Sequence, residues 1–126
     1  MRSYVGSPQY MAPEIIFCQL NPTTNSNGYT PKVDLWSIGV LLYVMLCRRL
    51  PFDAPPQERA ATTDEFEAER RLRNRIMAGA FRPMSDVSPP LSPEACDLIT
   101  QLLEVSPSDR LSVEEALSSP WMTIRD

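Results

Sequence analysis

The chain has 126 residues, 43% apolar and 22% charged, which is the size and make-up of one soluble domain or part of one. Its net charge of −4 argues against the clustered excess of lysine and arginine that nucleic-acid binding requires. Three cysteines without C-x-x-C spacing, and no histidine, exclude a Cys/His zinc site and suit an intracellular, cytoplasmic or nuclear setting; the apolar run over 38–47 is half the roughly 20 residues of a membrane span, so neither metal nor membrane is expected.

Residues 1–13 are rich in Ser, Gly and Pro and read as irregular, after which Pro13 opens a short helix. A polar loop leads to Thr30-Pro31, where a hydroxyl cap precedes a proline that gives up no needed donor, so the spacing predicts a helix from there to about Cys47. It is apolar nearly all round, as in a helix buried on every side, and this chain supplies only part of its cover. Arg48-Arg49 complements its negative end and Leu50-Pro51-Phe52 stops it. Residues 53–62 read as a Pro- and Ala-rich linker, and Thr62 with Glu65 as the capping box of a helix that runs to about Ala78 and ends at Gly79. On that helix Glu67 with Arg71 and Glu69 with Arg73 are i, i+4 pairs, so the arginine cluster reads as a solvated ion-paired face, not a phosphate site. Beyond a Pro/Ser loop, Ser92-Pro93-Glu94 starts a helix with Ala95, Leu98, Ile99, Leu102 and Leu103 on one face. A last helix is predicted over 112–117 with Ser112 and Glu115 as its capping box, and no alternation is long enough for a sheet.

Three motifs stand in order along these elements: Gly6-Ser7-Pro8-Gln9-Tyr10-Met11-Ala12-Pro13-Glu14, then Asp34-Leu35-Trp36-Ser37-Ile38-Gly39, then Ser106-Pro107-Ser108-Asp109-Arg110-Leu111-Ser112. Together they resemble the downstream half of a serine/threonine protein kinase domain, with its G-T-P-x-Y-x-A-P-E, D-x-W-S-x-G and D-P-x-x-R-x-[ST] signatures. The calmodulin-dependent and checkpoint-type kinases are the most similar group. The resemblance implies a mainly α fold, the helical C-lobe portion of the protein-kinase-like fold over residues 1–126, lacking the N-lobe, the catalytic loop and the start of the activation segment. Val5, Ser7, Ser106 and Ser119 are mild departures, standing where relatives have Cys, Thr, Asp and His.

The resemblance also implies roles for single residues. Gly6, Ser7, Pro8 and Tyr10 form the loop that positions the substrate, and Ser3 falls where many relatives carry an activating phosphate. Glu14 and Arg110 pair as a largely buried ion pair, for which a planar guanidinium is well suited. Asp34, with Trp36 beside it, anchors the catalytic loop; in an apolar helix its carboxylate needs donors, and Trp36 is expected to pack near Pro13. ATP and Mg belong to the complete family domain. None is expected to bind this chain, because it has no H-R-D, no D-F-G, no glycine-rich loop and only one lysine, Lys32. The expected partners are a protein substrate and the missing upstream kinase segment, with no nucleic acid and no membrane. The function implied is that of a fragment of an ATP-dependent protein serine/threonine kinase, with a non-catalytic kinase-like binding module as the alternative.

Overall fold

The computed structural model describes residues 10–21, 30–54, 56–61 and 64–123. These hold seven helices and no strand: α1 (Pro13–Leu20), α2 (Pro31–Cys47), α3 (Pro56–Ala61), α4 (Glu65–Ala78), α5 (Pro93–Leu102), α6 (Val113–Leu117) and α7 (Pro120–Thr123). The mainly α expectation therefore holds.

Local chemistry sets most of the boundaries. Thr30 Oγ1 accepts from the Lys32 amide at 3.2 Å ahead of Pro31, and Ser92 Oγ accepts from the Ala95 amide at 3.1 Å ahead of Pro93. Ser112 and Glu115 close a full capping box, with Glu115 Oε1 accepting from the Ser112 amide at 2.8 Å. Two helices end on a left-handed residue. At α4 it is Gly79 (φ 67°) in a Schellman arrangement, with the Ala80 amide on the Arg75 carbonyl at 2.9 Å. At α2 it is Arg48 (φ 61°), whose amide reaches the Val44 carbonyl at 2.8 Å. A side chain in that conformation costs about 1–2 kcal/mol, a cost that glycine escapes.

Several boundaries differ from those the sequence predicts. The supposed linker over 53–62 contains α3, whose Glu58 is an ion-pair partner of Arg71 and Arg75 on α4. Helix α4 is capped not by Thr62, which lies outside the described residues, but by Asp64, accepting from the Phe66 amide at 3.0 Å. Arg48 already ends α2 before the Leu50-Pro51-Phe52 step, and no basic residue sits in the last turn of α2. Past Leu117, Ser119 allows one more helical turn, α7.

Helix α2 is the axis. It packs most extensively on α5, where Gly39 permits the close approach: a Cβ there would lie 2.8 Å from Leu102 Cβ. Trp36, Val40 and Tyr43 of α2 join Ala12 and Ile16 from α1 and its entry, with Ile76 of α4, in the main core. A smaller core of Leu35, Leu98 and Leu102 lies toward α6 and α7. An aromatic chain ties the segments after α2 to it: Trp36 stacks on Phe52 (5.6 Å, 9°), and Phe81 meets Phe52 and Tyr43 edge-on. Helix α2 is not covered on every side, since Ile38, Leu41 and Met45 are 50%, 50% and 65% exposed.

Candidate functional site

Helix α1 begins at Pro13, so Glu14 sits in its first turn, where a carboxylate favours the positive helix end. The turn at 106–110 carries Arg110 beneath it. The Arg110 side chain is 0% exposed and that of Glu14 16%. Nη1 donates to Glu14 Oε2 at 2.8 Å and Nη2 to Glu14 Oε1 at 3.0 Å, the parallel two-bond grip of a guanidinium on a carboxylate. The remaining donors go to carbonyls: Nη1 also to Lys32 at 2.8 Å, Nε to Glu104 at 2.9 Å and Nη2 also to Val105 at 3.0 Å. All five N–H groups of the guanidinium are thereby used. Its carbon lies 5.1 Å from the centre of the Trp36 ring, a cation–π contact in a buried setting.

Lys32 completes the joint and was not legible as a site residue. Its Nζ donates to the carbonyls of Pro107 and Arg110, each at 2.7 Å, while its own carbonyl accepts from Arg110. The chain's only lysine is thus committed to holding the turn that presents Arg110. Its place at the start of α2 is the sole sequence signal, and that does not name the carbonyls it will meet.

Tyr10 is exposed, and its carbonyl accepts from Ser37 Oγ on α2 at 3.3 Å, which tethers the end of the glycine-serine-proline segment to the central helix. Gly6, Ser7, Pro8 and Ser3 lie outside the described residues. Asp34 stands in the first turn of α2 at an exposed position, so the burial penalty expected for it does not apply. Trp36 is fully buried and takes Phe52 and Arg110 as ring partners, with Ala12 and Ile16 in the same cluster. Arg70, Arg71, Arg73 and Arg75 are paired with Glu58, Glu67 and Glu69 as expected, but only Arg70 and Arg71 are well solvated; the Arg73–Glu69 and Arg75–Glu58 pairs are largely covered. Among the described residues no group of three or more His, Cys, Asp or Glu could hold a metal ion, and no helix is long and apolar enough to cross a membrane.

At the other end of α2, Arg49 donates to the Tyr43 hydroxyl at 3.1 Å, to the Pro83 carbonyl at 2.6 Å and to Asp86 at 2.8 Å. The Asp86 carboxyl is held below the usual carboxylate range, first by that hydrogen bond. Burial pushes the Tyr43 phenol up, and its hydroxyl donates to the Arg82 carbonyl at 2.8 Å.

A helical unit built round one apolar helix, with an acidic residue of the entry helix locked onto an arginine near the end of the chain, is the helical lobe of the protein-kinase fold. The family model described as "Protein kinase domain" matches residues 1–122, and the chain belongs to that family. It is 36% identical over 138 residues to the probable serine/threonine-protein kinase fhkA of Dictyostelium discoideum, covering 97% of this chain and 22% of that one. With calcium-dependent protein kinase 34 of Arabidopsis thaliana it shares 35% identity over 121 residues, covering 96% of this chain and 19% of the relative. Among solved structures, that of the Rad53 kinase domain and SCD2 aligns with a TM-score of 0.67 at 32% identity, covering 94% of this chain and 38% of that one. Rad53 in complex with AMP-PNP aligns with a TM-score of 0.68 at 32% identity, over 96% of this chain and 27% of that chain. These relatives fit the calmodulin-dependent and checkpoint-type group that the motifs resemble.

Proposed function

We propose that the chain is the C-lobe scaffold and substrate-positioning part of an intracellular, ATP-dependent protein serine/threonine kinase, spanning residues 1–126 from the end of the activation segment to the last helix. The complete domain takes ATP with Mg and passes the phosphoryl group to Ser or Thr of a protein substrate; this chain alone does neither. The observation that carries the reading is the saturated Glu14–Arg110 pair, which fixes the end of the segment carrying Gly6, Ser7, Pro8 and Tyr10 to the central helix at one defined place. Such a joint supplies positioning, the main lever of protein catalysis in phosphoryl transfer. Lys32, held by two carbonyls, supports the second half of the reading, because it leaves no lysine for nucleotide phosphates.

Two measurements test it. Calorimetric titration of the chain with Mg-ATP is expected to give no saturable heat; a saturable site overturns the claim that the chain alone binds no nucleotide. Joined behind the upstream part of the Rad53 kinase domain, in place of the corresponding Rad53 residues, the chain is expected to support serine phosphorylation that Glu14→Gln weakens. A folded but inactive joined protein would favour the non-catalytic binding module.

A further inference from the structure

The joint at Glu14 and Arg110 leaves the opposite end of α2 unused, and a second built feature stands there. A cavity of about 390 Å³ opens between the last turn of α2 and the loop 82–91. Met45, Leu46, Val87, Pro90 and Leu91 give it an apolar strip, polar atoms make up the rest of its lining, and its charged groups are Arg48, Arg49 and Asp86. Arg49 and Asp86 neutralise one another across 2.8 Å. Arg48 is exposed, and among the described residues nothing pairs with it, so the cavity carries one uncompensated positive charge beside an apolar strip of its lining. Moreover Arg48 holds a left-handed conformation (φ 61°) at the helix end, where the same chain places glycine at the end of α4 (φ 67°). A guanidinium kept at a glycine-favouring position, next to a cavity and without a partner, is the kind of outlier that points to a function.

We infer that this cavity is a docking groove for a protein segment in which an Asp or Glu carboxylate lies beside an apolar side chain, the carboxylate pairing with Arg48 and the apolar group filling the space between Met45 and Leu91. Charge complementarity selects the occupant: an arginine fork takes a carboxylate through two N–H bonds, and a wholly apolar segment would leave that guanidinium unused. The inference stands apart from the kinase reading, since it uses no residue of the substrate-positioning segment and its test requires no phosphoryl transfer.

Fluorescence polarisation of the Rad53-joined protein, in which the rest of the domain covers α2, against a panel of fluorescein-labelled hexapeptides alternating Glu with Leu or Phe tests it, with Lys-for-Glu and Ser-for-Leu/Phe peptides as controls. Members of the acidic, apolar panel bind, the controls do not, and binding weakens as salt rises from 0.05 to about 0.5 M. Arg48→Gly is the decisive variant, because it relieves the left-handed strain. Its melting temperature rises while Kd rises roughly tenfold or more. Arg48→Lys retains part of the binding. Failure of every panel member to bind, equal binding of the lysine peptides, or undiminished binding by a well-folded Arg48→Gly chain would each overturn the proposal.

Discussion

Breaking the Glu14–Arg110 pair from either side should give unequal losses that do not add. Arg110→Met removes both bonds to Glu14 and also strands the carbonyls of Lys32, Glu104 and Val105, three acceptors beneath a side chain that is 0% exposed. Loss of one partner from a buried pair costs about 3–5 kcal/mol, and the stranded carbonyls put this variant toward the upper end. Glu14→Gln keeps one acceptor for the guanidinium and leaves the three carbonyl bonds intact, so its cost is about 2–3 kcal/mol, the worth of a hydrogen bond to a charged group. The double variant no longer holds an unpaired buried charge, and the coupling is about 1–3 kcal/mol. Urea unfolding of the Rad53-joined protein, followed by circular dichroism, measures all four corners of the cycle. Additive losses, or Glu14→Gln more damaging than Arg110→Met, would refute the reasoning that five committed donors make the arginine the keystone.

Three other outcomes are expected. Gly39→Ala should destabilise by about 1–3 kcal/mol through overpacking, since the new methyl would lie 2.8 Å from Leu102 Cβ and 3.0 Å from Leu103 Cδ2; an unchanged urea midpoint refutes it. The Asp86 carboxyl is depressed in the folded state, so the Arg49–Asp86 contact contributes above the ordinary aspartate value of about 3.9 and is lost as pH falls through the lower folded value. An NMR titration following Asp86 and the Arg49 Nε should show no change from pH 8 to about 5, and a transition near 6 contradicts it. The chain alone should bind an apolar dye through the exposed row Ile38, Leu41 and Met45, and its α2 amides should exchange quickly; slow exchange over 35–46 without dye binding refutes it.

Features decided within one turn of helix were legible in the sequence. Thr30, Ser92, Ser112 and Gly79 each act on groups two to five residues away, so their identities foretell the boundary. Asp64 is masked in the sequence by Thr62 and Glu65, which offer a competing capping box, and α3 by a Pro- and Ala-rich run that reads as linker. Features decided between distant segments were not legible. Lys32 looks like any lysine at a helix start until residues 75 and 78 positions away supply its carbonyls. Trp36 finds Phe52 as its ring partner because α2 ends in a left-handed turn that brings the following segment back alongside it. Arg48 reads as a favourable charge at a helix end, and only the backbone angle reveals how unusual its position is. The motifs located Glu14 and Arg110, while the three carbonyls that consume the rest of the guanidinium come from the turn geometry of 104–110 and the start of α2.

The 96 positions that separate Glu14 from Arg110 also set a clock on synthesis. At about 5–20 residues per second, a ribosome takes roughly 5–20 s to make Arg110 after Glu14, plus the time for it to clear the exit tunnel. Throughout that interval α1 and the apolar length of α2 are present without the arginine turn that ties them together. Nascent chains of the Rad53-joined protein stalled just short of Arg110 should therefore be cut by protease across α1 and α2, and chains extended by a linker until Arg110 is outside the tunnel should resist. The last fifth of this sequence thus acts as the latch for the first.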